Sequence, residues 1–160
     1  MKVVVAVGNE YRGDDGFALA VAERLRALAP EGTRIVSSEQ EPSRLLDAWE
    51  GASAAFVVDA AASGAEPGTV HRFDASSAPV PAGICRSSTH AFGIGEAVEL
   101  ARALGTLPPL VVVYGVEGAD FAAGRGLSPL VERAVERVAT LVACELTAAD
   151  RKEETCTNER

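Results

Sequence analysis

Three uninterrupted apolar runs constrain this chain more than any other feature: Val3-Val4-Val5-Ala6-Val7, Ala54-Ala55-Phe56-Val57-Val58 and Leu110-Val111-Val112-Val113-Tyr114. Each has the length of a strand, and none alternates polar with apolar residues. Strands of that kind are buried on both faces, which is the condition of a parallel sheet covered by helices. Arg34-Ile35-Val36 reads as a weaker fourth strand, and Thr69-Val70-His71-Arg72-Phe73 alternates like an edge or hairpin strand. Helical stretches lie between them. Phe17, Ala20, Val21, Leu25 and Leu28 form one apolar stripe, residues 43–49 a short second helix, and Ile94, Val98, Leu100 and Ala101 part of a third. The last helix has the clearest start, with Ser128 as N-cap and Pro129 at its first position. Leu130, Val131, Ala134, Val135, Val138, Leu141 and Val142 follow on one face. Alternating strands and helices predict an α/β three-layer sandwich with a twisted, mostly parallel central sheet of about five strands.

The 160 residues are enough for one domain with a substantial core, assigned to residues 1–149. Residues 150–160 carry mixed charge without an apolar anchor and read as a frayed tail. The three cysteines, Cys85, Cys144 and Cys156, are far apart and lack a Cys-x-x-Cys spacing, which argues against a disulfide framework or zinc ribbon. No apolar run approaches a membrane span, and the chain enters a strand directly after Met-Lys, so it reads as a soluble cytoplasmic protein. A net charge of -8 argues against nucleic acid or anionic lipid as partner and suits a cationic one.

The first strand runs into Gly8-Asn9-Glu10-Tyr11-Arg12-Gly13-Asp14-Asp15-Gly16. A strand, a glycine-rich turn and a helix start ordinarily cradle a phosphate. Here Asp14 and Asp15 stand where a P-loop needs Lys and Ser/Thr, and two carboxylates there repel a phosphate at short range. One of the pair is accounted for as a helix cap, where Asn serves about as well as Asp. The other is available for chemistry.

Ligand sites in open α/β sheets lie beyond the carboxyl ends of the strands. The strand of residues 54–58 ends at Asp59, a costly place for a carboxylate unless it faces a cleft, a cation or backbone amides. Its plainer alternative is to cap the turn Ala62-Ser63-Gly64. Of the two histidines, His71 sits in the alternating strand and reads as solvent-facing. His90 stands just before or at the start of the third helix, where the helix dipole favours the neutral, metal-binding imidazole, although a surface position is equally open. Asp15, Asp59 and His90 together make two oxygen donors and one nitrogen. That set suits a borderline divalent ion such as nickel or zinc, with at least one position open.

Gly8-Asn9 with Asp14-Asp15-Gly16, Val58-Asp59-Ala60 with Pro67-Gly68, Ser87-Ser88-Thr89-His90, Tyr114-Gly115-Val116-Glu117 and Gly126-Leu127-Ser128-Pro129 occur here in one order. In that order and spacing the chain resembles the hydrogenase maturation endopeptidases, which trim the C-terminal extension from the large subunit of nickel-iron hydrogenases. The resemblance runs from Val3 to about Val142. It implies a metal site of Asp15, Asp59 and His90, and an α/β sandwich fold. It also implies that nickel arrives already bound to cysteines of the large-subunit precursor, with zinc or cadmium able to replace it in crystals. Two departures stand out. Several relatives have Glu where this chain has the shorter Asp15, and many have an Asp-Gly turn where this chain reads Ser37-Ser38-Glu39-Gln40-Glu41-Pro42.

No Gly-x-Ser-x-Gly elbow is present and no cysteine has a nucleophile's context, so metal-assisted hydrolysis is favoured, with Asp15 or Asp59 as base. The rival readings are a nickel-dependent assembly chaperone that leaves its partner uncut, and a nucleoside phosphorylase or hydrolase. The latter needs basic anion ligands.

Overall fold

The computed structural model describes residues 1–38, 43–85 and 92–158. Its elements are β1 (Lys2–Val7), a short 3-10 turn (Gly13–Gly16), α1 (Phe17–Leu28), β2 (Thr33–Ser38), α2 (Ser43–Trp49), β3 (Ala54–Ala61), β4 (Val70–Asp74), α3 (Ile94–Leu104), β5 (Leu110–Glu117) and α4 (Pro129–Asn158). The five strands form one sheet in the order β2-β1-β3-β5-β4. The first four positions are parallel, and β4 joins β5 antiparallel at the edge. The three apolar runs therefore become the three central strands. Every residue of β1 and β3 is buried, as continuous hydrophobic runs with helices on both faces require.

Alternate residues feed two separate cores. Val4, Ala6, Phe56, Val58, Val112 and Tyr114 pack beneath α1 and α4, and Val3, Val5, Ala55, Val57, Val111 and Val113 beneath α2 and α3. This is the expected three-layer α/β sandwich. The helical faces are rotated slightly from the sequence reading. In α1 the buried set is Phe17, Ala18, Val21, Ala22 and Leu25, while Leu28 is exposed. In α3 Ala97 is buried and Leu100 turns outward; in α4 Leu130 and Leu141 do so.

The expected frayed tail differs from the structure, in which α4 continues as far as Asn158. Two anchors lie where fraying was expected to begin. Ala149 is buried, and Asp150 forms an ion pair with Lys2, itself only 5% exposed. A buried ammonium without a partner is costly, so this pair holds the helix against the start of β1. The strand order places the carboxyl ends of β1, β3 and β5 side by side, and the turn carrying Asp14 and Asp15 lies at that edge.

Candidate active site

The turn after β1 is folded back on itself. Gly8 N–H donates to the Ser38 carbonyl at 3.2 Å, and Asn9 N–H to the Asp15 carbonyl at 3.1 Å. A Cβ on Gly8 would lie 2.1 Å from that same Asp15 oxygen, a distance no side chain tolerates. Glycine is needed here for close backbone approach. Gly13 has φ +56°, and a Cβ there would meet the Asp120 carbonyl at 2.5 Å. Asp15 is thereby seated against the end of β1, 2% exposed.

Asp59 is 1% exposed and stands within β3, two residues before its end. The register Ala6↔Val58 carries Val7 alongside Asp59, and the 3-10 turn packs against β3. Asp15 and Asp59 thus occupy the same edge of the sheet. The Asp59 Oδ1 accepts the N–H of the adjacent Ala60 at 2.8 Å.

Asp14 is fully buried and does not cap α1, whose N-cap position is Gly16, without a side-chain hydrogen bond. Its Oδ2 accepts Ala119 N–H (2.7 Å), Asp120 N–H (3.0 Å) and the Ser128 hydroxyl (2.7 Å), and its Oδ1 accepts Ser128 N–H (2.7 Å). Burial alone would raise this carboxyl. The backbone donors of Asp120, Ser128 and Ala119, with the Ser128 hydroxyl, outweigh it and hold the group below the ordinary aspartate value. Asp14 is therefore the tie between the site turn, the loop after β5 and the start of α4. Ser128 keeps its N-cap position, its carbonyl accepting Glu132 N–H at 2.9 Å, but its hydroxyl serves Asp14.

Glu117, at the end of β5, is 2% exposed. It accepts the Ser63 hydroxyl (2.8 Å) and Gly64 N–H (2.9 Å), and its Oε2 lies 3.3 Å from His71 Nε2. The turn that Asp59 was a candidate to cap is held by Glu117. Burial works to raise this carboxyl, but Ser63, Gly64 and His71 together keep it below the ordinary glutamate value. His71 is accordingly not solvent-facing: its side chain is 19% exposed and paired with Glu117. Within the site motifs the sequence marked Tyr114-Gly115-Val116-Glu117 without giving Glu117 a role. An acid at the end of a wholly apolar strand was the available signal, the same one that drew attention to Asp59.

The register Asp59↔Gly115↔His71 sets Asp59 and His71 in one row across three strands, with Gly115 between them. The space above Gly115 is taken by Ile84 and Ala61. Next along the chain, Cys85 is 2% exposed, and burial followed by the nearby Asp59 charge pushes its thiol well above the usual range. A thiol so held is not an activated nucleophile. The chain passes beside Asp59 at Cys85, five positions before His90. His90 itself, like Glu39 and Glu41, lies outside the described residues. Among the described residues no three His, Cys, Asp or Glu side chains form a metal-binding group. The structure brings four buried carboxylates to one edge; Asp14 and Glu117 hold neighbouring loops by hydrogen bonds, and Asp15 and Asp59 are a donor set that fits part of a divalent-cation site.

Asp15 and Asp59 are both buried, at the carboxyl edge of the mostly parallel sheet of an α/β sandwich. A family model described as hydrogenase maturation protease matches residues 19–145, and the chain belongs to that family. Asp59 falls inside the matched span, whereas Asp15 precedes it. The chain is 26% identical over 148 residues to the hydrogenase expression/formation protein HupD of Thiocapsa roseopersicina, spanning 86% of this chain and 67% of HupD. It is 28% identical over 150 residues to HoxM of Cupriavidus necator, spanning 89% and 74%. In fold it is similar to the hydrogenase maturating endopeptidase HybD from E. coli, with a TM-score of 0.77 over 92% of this chain and 93% of HybD at 20% identity. It is also similar to the hydrogenase maturation protease HycI from Thermococcus kodakarensis KOD1, with a TM-score of 0.73 over 91% and 92% at 24% identity. Among the described residues no helix is long and apolar enough to cross a membrane.

Proposed function

We propose that this protein is the endopeptidase that removes the C-terminal extension from a nickel-loaded hydrogenase large-subunit precursor, and that it recognises the nickel its substrate carries. The observation that carries this reading is the pair Asp15 and Asp59, 2% and 1% exposed at one sheet edge. Membership of the maturation protease family supplies the reaction class.

In this reading Asp15, Asp59 and His90 meet the substrate's ion, which polarises the scissile carbonyl or a water when bound. The carboxylates orient the scissile segment, and one of them accepts the proton of the attacking water. Burial strengthens every such contact by excluding bulk water. Gly8 sets the distance of Asp15 from the sheet, and Asp14 fixes the turn that carries it.

The test is incubation of nickel-loaded precursor with wild-type protein, Asp15→Asn or Asp59→Asn, followed by intact mass of the precursor. Wild type is expected to shorten the precursor by one defined fragment, and each variant to leave it at full length. A full-length precursor after incubation with wild type points to a non-cleaving assembly factor.

A further inference from the structure

A groove of about 500 Å³ opens beside the site turn, on the outer side of α1. One end is formed by Glu10, Gly13 and Gly16, the residues that flank Asp14 and Asp15. Its floor is the half-buried trio Leu19, Ala20 and Leu127, and its far wall includes Ser37 of β2. The acids and bases around it are already satisfied by one another. Glu10 pairs with Arg125 at 2.7 Å, and Glu23 with Arg26 at 3.1 Å. An uncharged occupant therefore fits better than a charged one.

Length and shape narrow the occupant further. From Gly16 to Arg26 the helix rises about 15 Å at roughly 1.5 Å per residue. That length matches about four or five residues of extended chain at roughly 3.3 Å each. β2 is an edge strand, pairing with β1 alone among the described residues. At Ser37, the one β2 residue that lines the groove, such an edge offers backbone groups to an extended segment with little regard to its sequence. We infer that this groove holds the stretch of the precursor next to the scissile bond, extended and with small or apolar side chains against Leu19, Ala20 and Leu127. The groove ends at Gly13 and Gly16, in the turn that carries Asp15, so a segment lying in it runs up to that turn. The inference rests on the proposed action on a hydrogenase large-subunit precursor, and it adds where that substrate's chain lies.

The experiment measures binding of nickel-loaded precursor to Asp15→Asn protein, so that turnover does not interfere, with and without Ala20→Trp, which fills the floor. Glu23→Trp, at an exposed position on the rim, serves as a second variant, and Thr140→Trp, between α1 and α4 elsewhere, as control. Thermal melts establish that each is folded. Expected is at least a tenfold weaker Kd for both groove variants and none for Thr140→Trp. On an otherwise wild-type background, a matching rise in KM with kcat within twofold is expected. An unchanged Kd in both groove variants, or equal loss from Thr140→Trp, overturns the inference. So does loss of self-association in sedimentation with precursor binding intact, which would make the groove a contact between copies of this chain. If wild type leaves the precursor uncut while Ala20→Trp still weakens binding, the groove stands and the protease reading fails.

Discussion

Ser128 donates both its backbone N–H and its hydroxyl to the carboxylate of Asp14, each at 2.7 Å, across 114 positions of sequence. With Ala119 and Asp120 also donating, every hydrogen-bond position recorded on this carboxylate is an acceptor position. Asn in either flip orientation turns an NH2 toward a backbone N–H. Asp14→Asn is therefore expected to destabilise the fold by about 1–3 kcal/mol, the cost of a buried donor left unmatched. For a chain of this size that lowers Tm by roughly 2–4 °C per kcal/mol. This reverses the expectation from a capping role, in which Asn is a near-neutral replacement. A calorimetric melt decides between them: a Tm within a degree of wild type would restore the cap.

Asp14 and Glu117 also set the direction of the acid response. Both are held below their ordinary values, 3.8 and 4.5, so each contributes stability that is fully present above those values and is lost as pH falls through the depressed folded value. Unfolding free energy is expected to be flat from neutral pH down to about pH 4.5 with respect to these two groups and to fall below it. Glu117→Gln should lower stability at pH 7 and make the acid limb shallower. Urea titrations at a series of pH values read both effects, and an unaltered acid limb in the variant would remove Glu117 from this account.

His71→Ala deletes one of the three partners of Glu117 and touches neither Asp15 nor Asp59 in the proposed chemistry. The expected outcome is a lower Tm with kcat for precursor cleavage within about twofold of wild type. A large fall in kcat at unchanged stability would move His71 into the reaction.

Gly8→Ala is expected to be among the most damaging small substitutions, because its Cβ would have to displace the Asp15 carbonyl from 2.1 Å. The site turn must move, so cleavage should fall more than stability does. Gly95→Ala is the contrast: it lies in α3, where the added Cβ meets Val80 only at 3.9 Å. Removing a helical glycine there should stabilise by up to about 1 kcal/mol. Melting temperatures and cleavage rates of the two variants, taken together, test this pairing.

Much of the sheet was legible because burial on both faces writes itself as uninterrupted apolar runs, and Thr69 to Phe73 alternates as an edge strand does. The sequence drew attention to Asp59 for a related reason, an acid ending such a run, and the structure places it buried near the end of β3. What the sequence did not show is which distant groups each acid meets. The partners of Asp14 lie at 119, 120 and 128, and those of Glu117 at 63, 64 and 71, so no local pattern contains them. Local reasoning assigned nearby work to both sites, a cap for Asp14 and open solvent for His71. The continuation of α4 was hidden similarly, since Asp150 is anchored by Lys2 at the opposite end of the chain.

The central claim is that the ion belongs to the substrate and is read by Asp15 and Asp59. Its most direct measurement is a cleavage time course on apo and nickel-loaded precursor, with metal content determined on the free protein by mass spectrometry. The account predicts cleavage of the loaded precursor only, and far less than one equivalent of metal retained by the purified protein, because an open site of two carboxylates and one imidazole lacks a closed four-ligand shell. Efficient cleavage of apo precursor, or stoichiometric metal on the free protein, would contradict it.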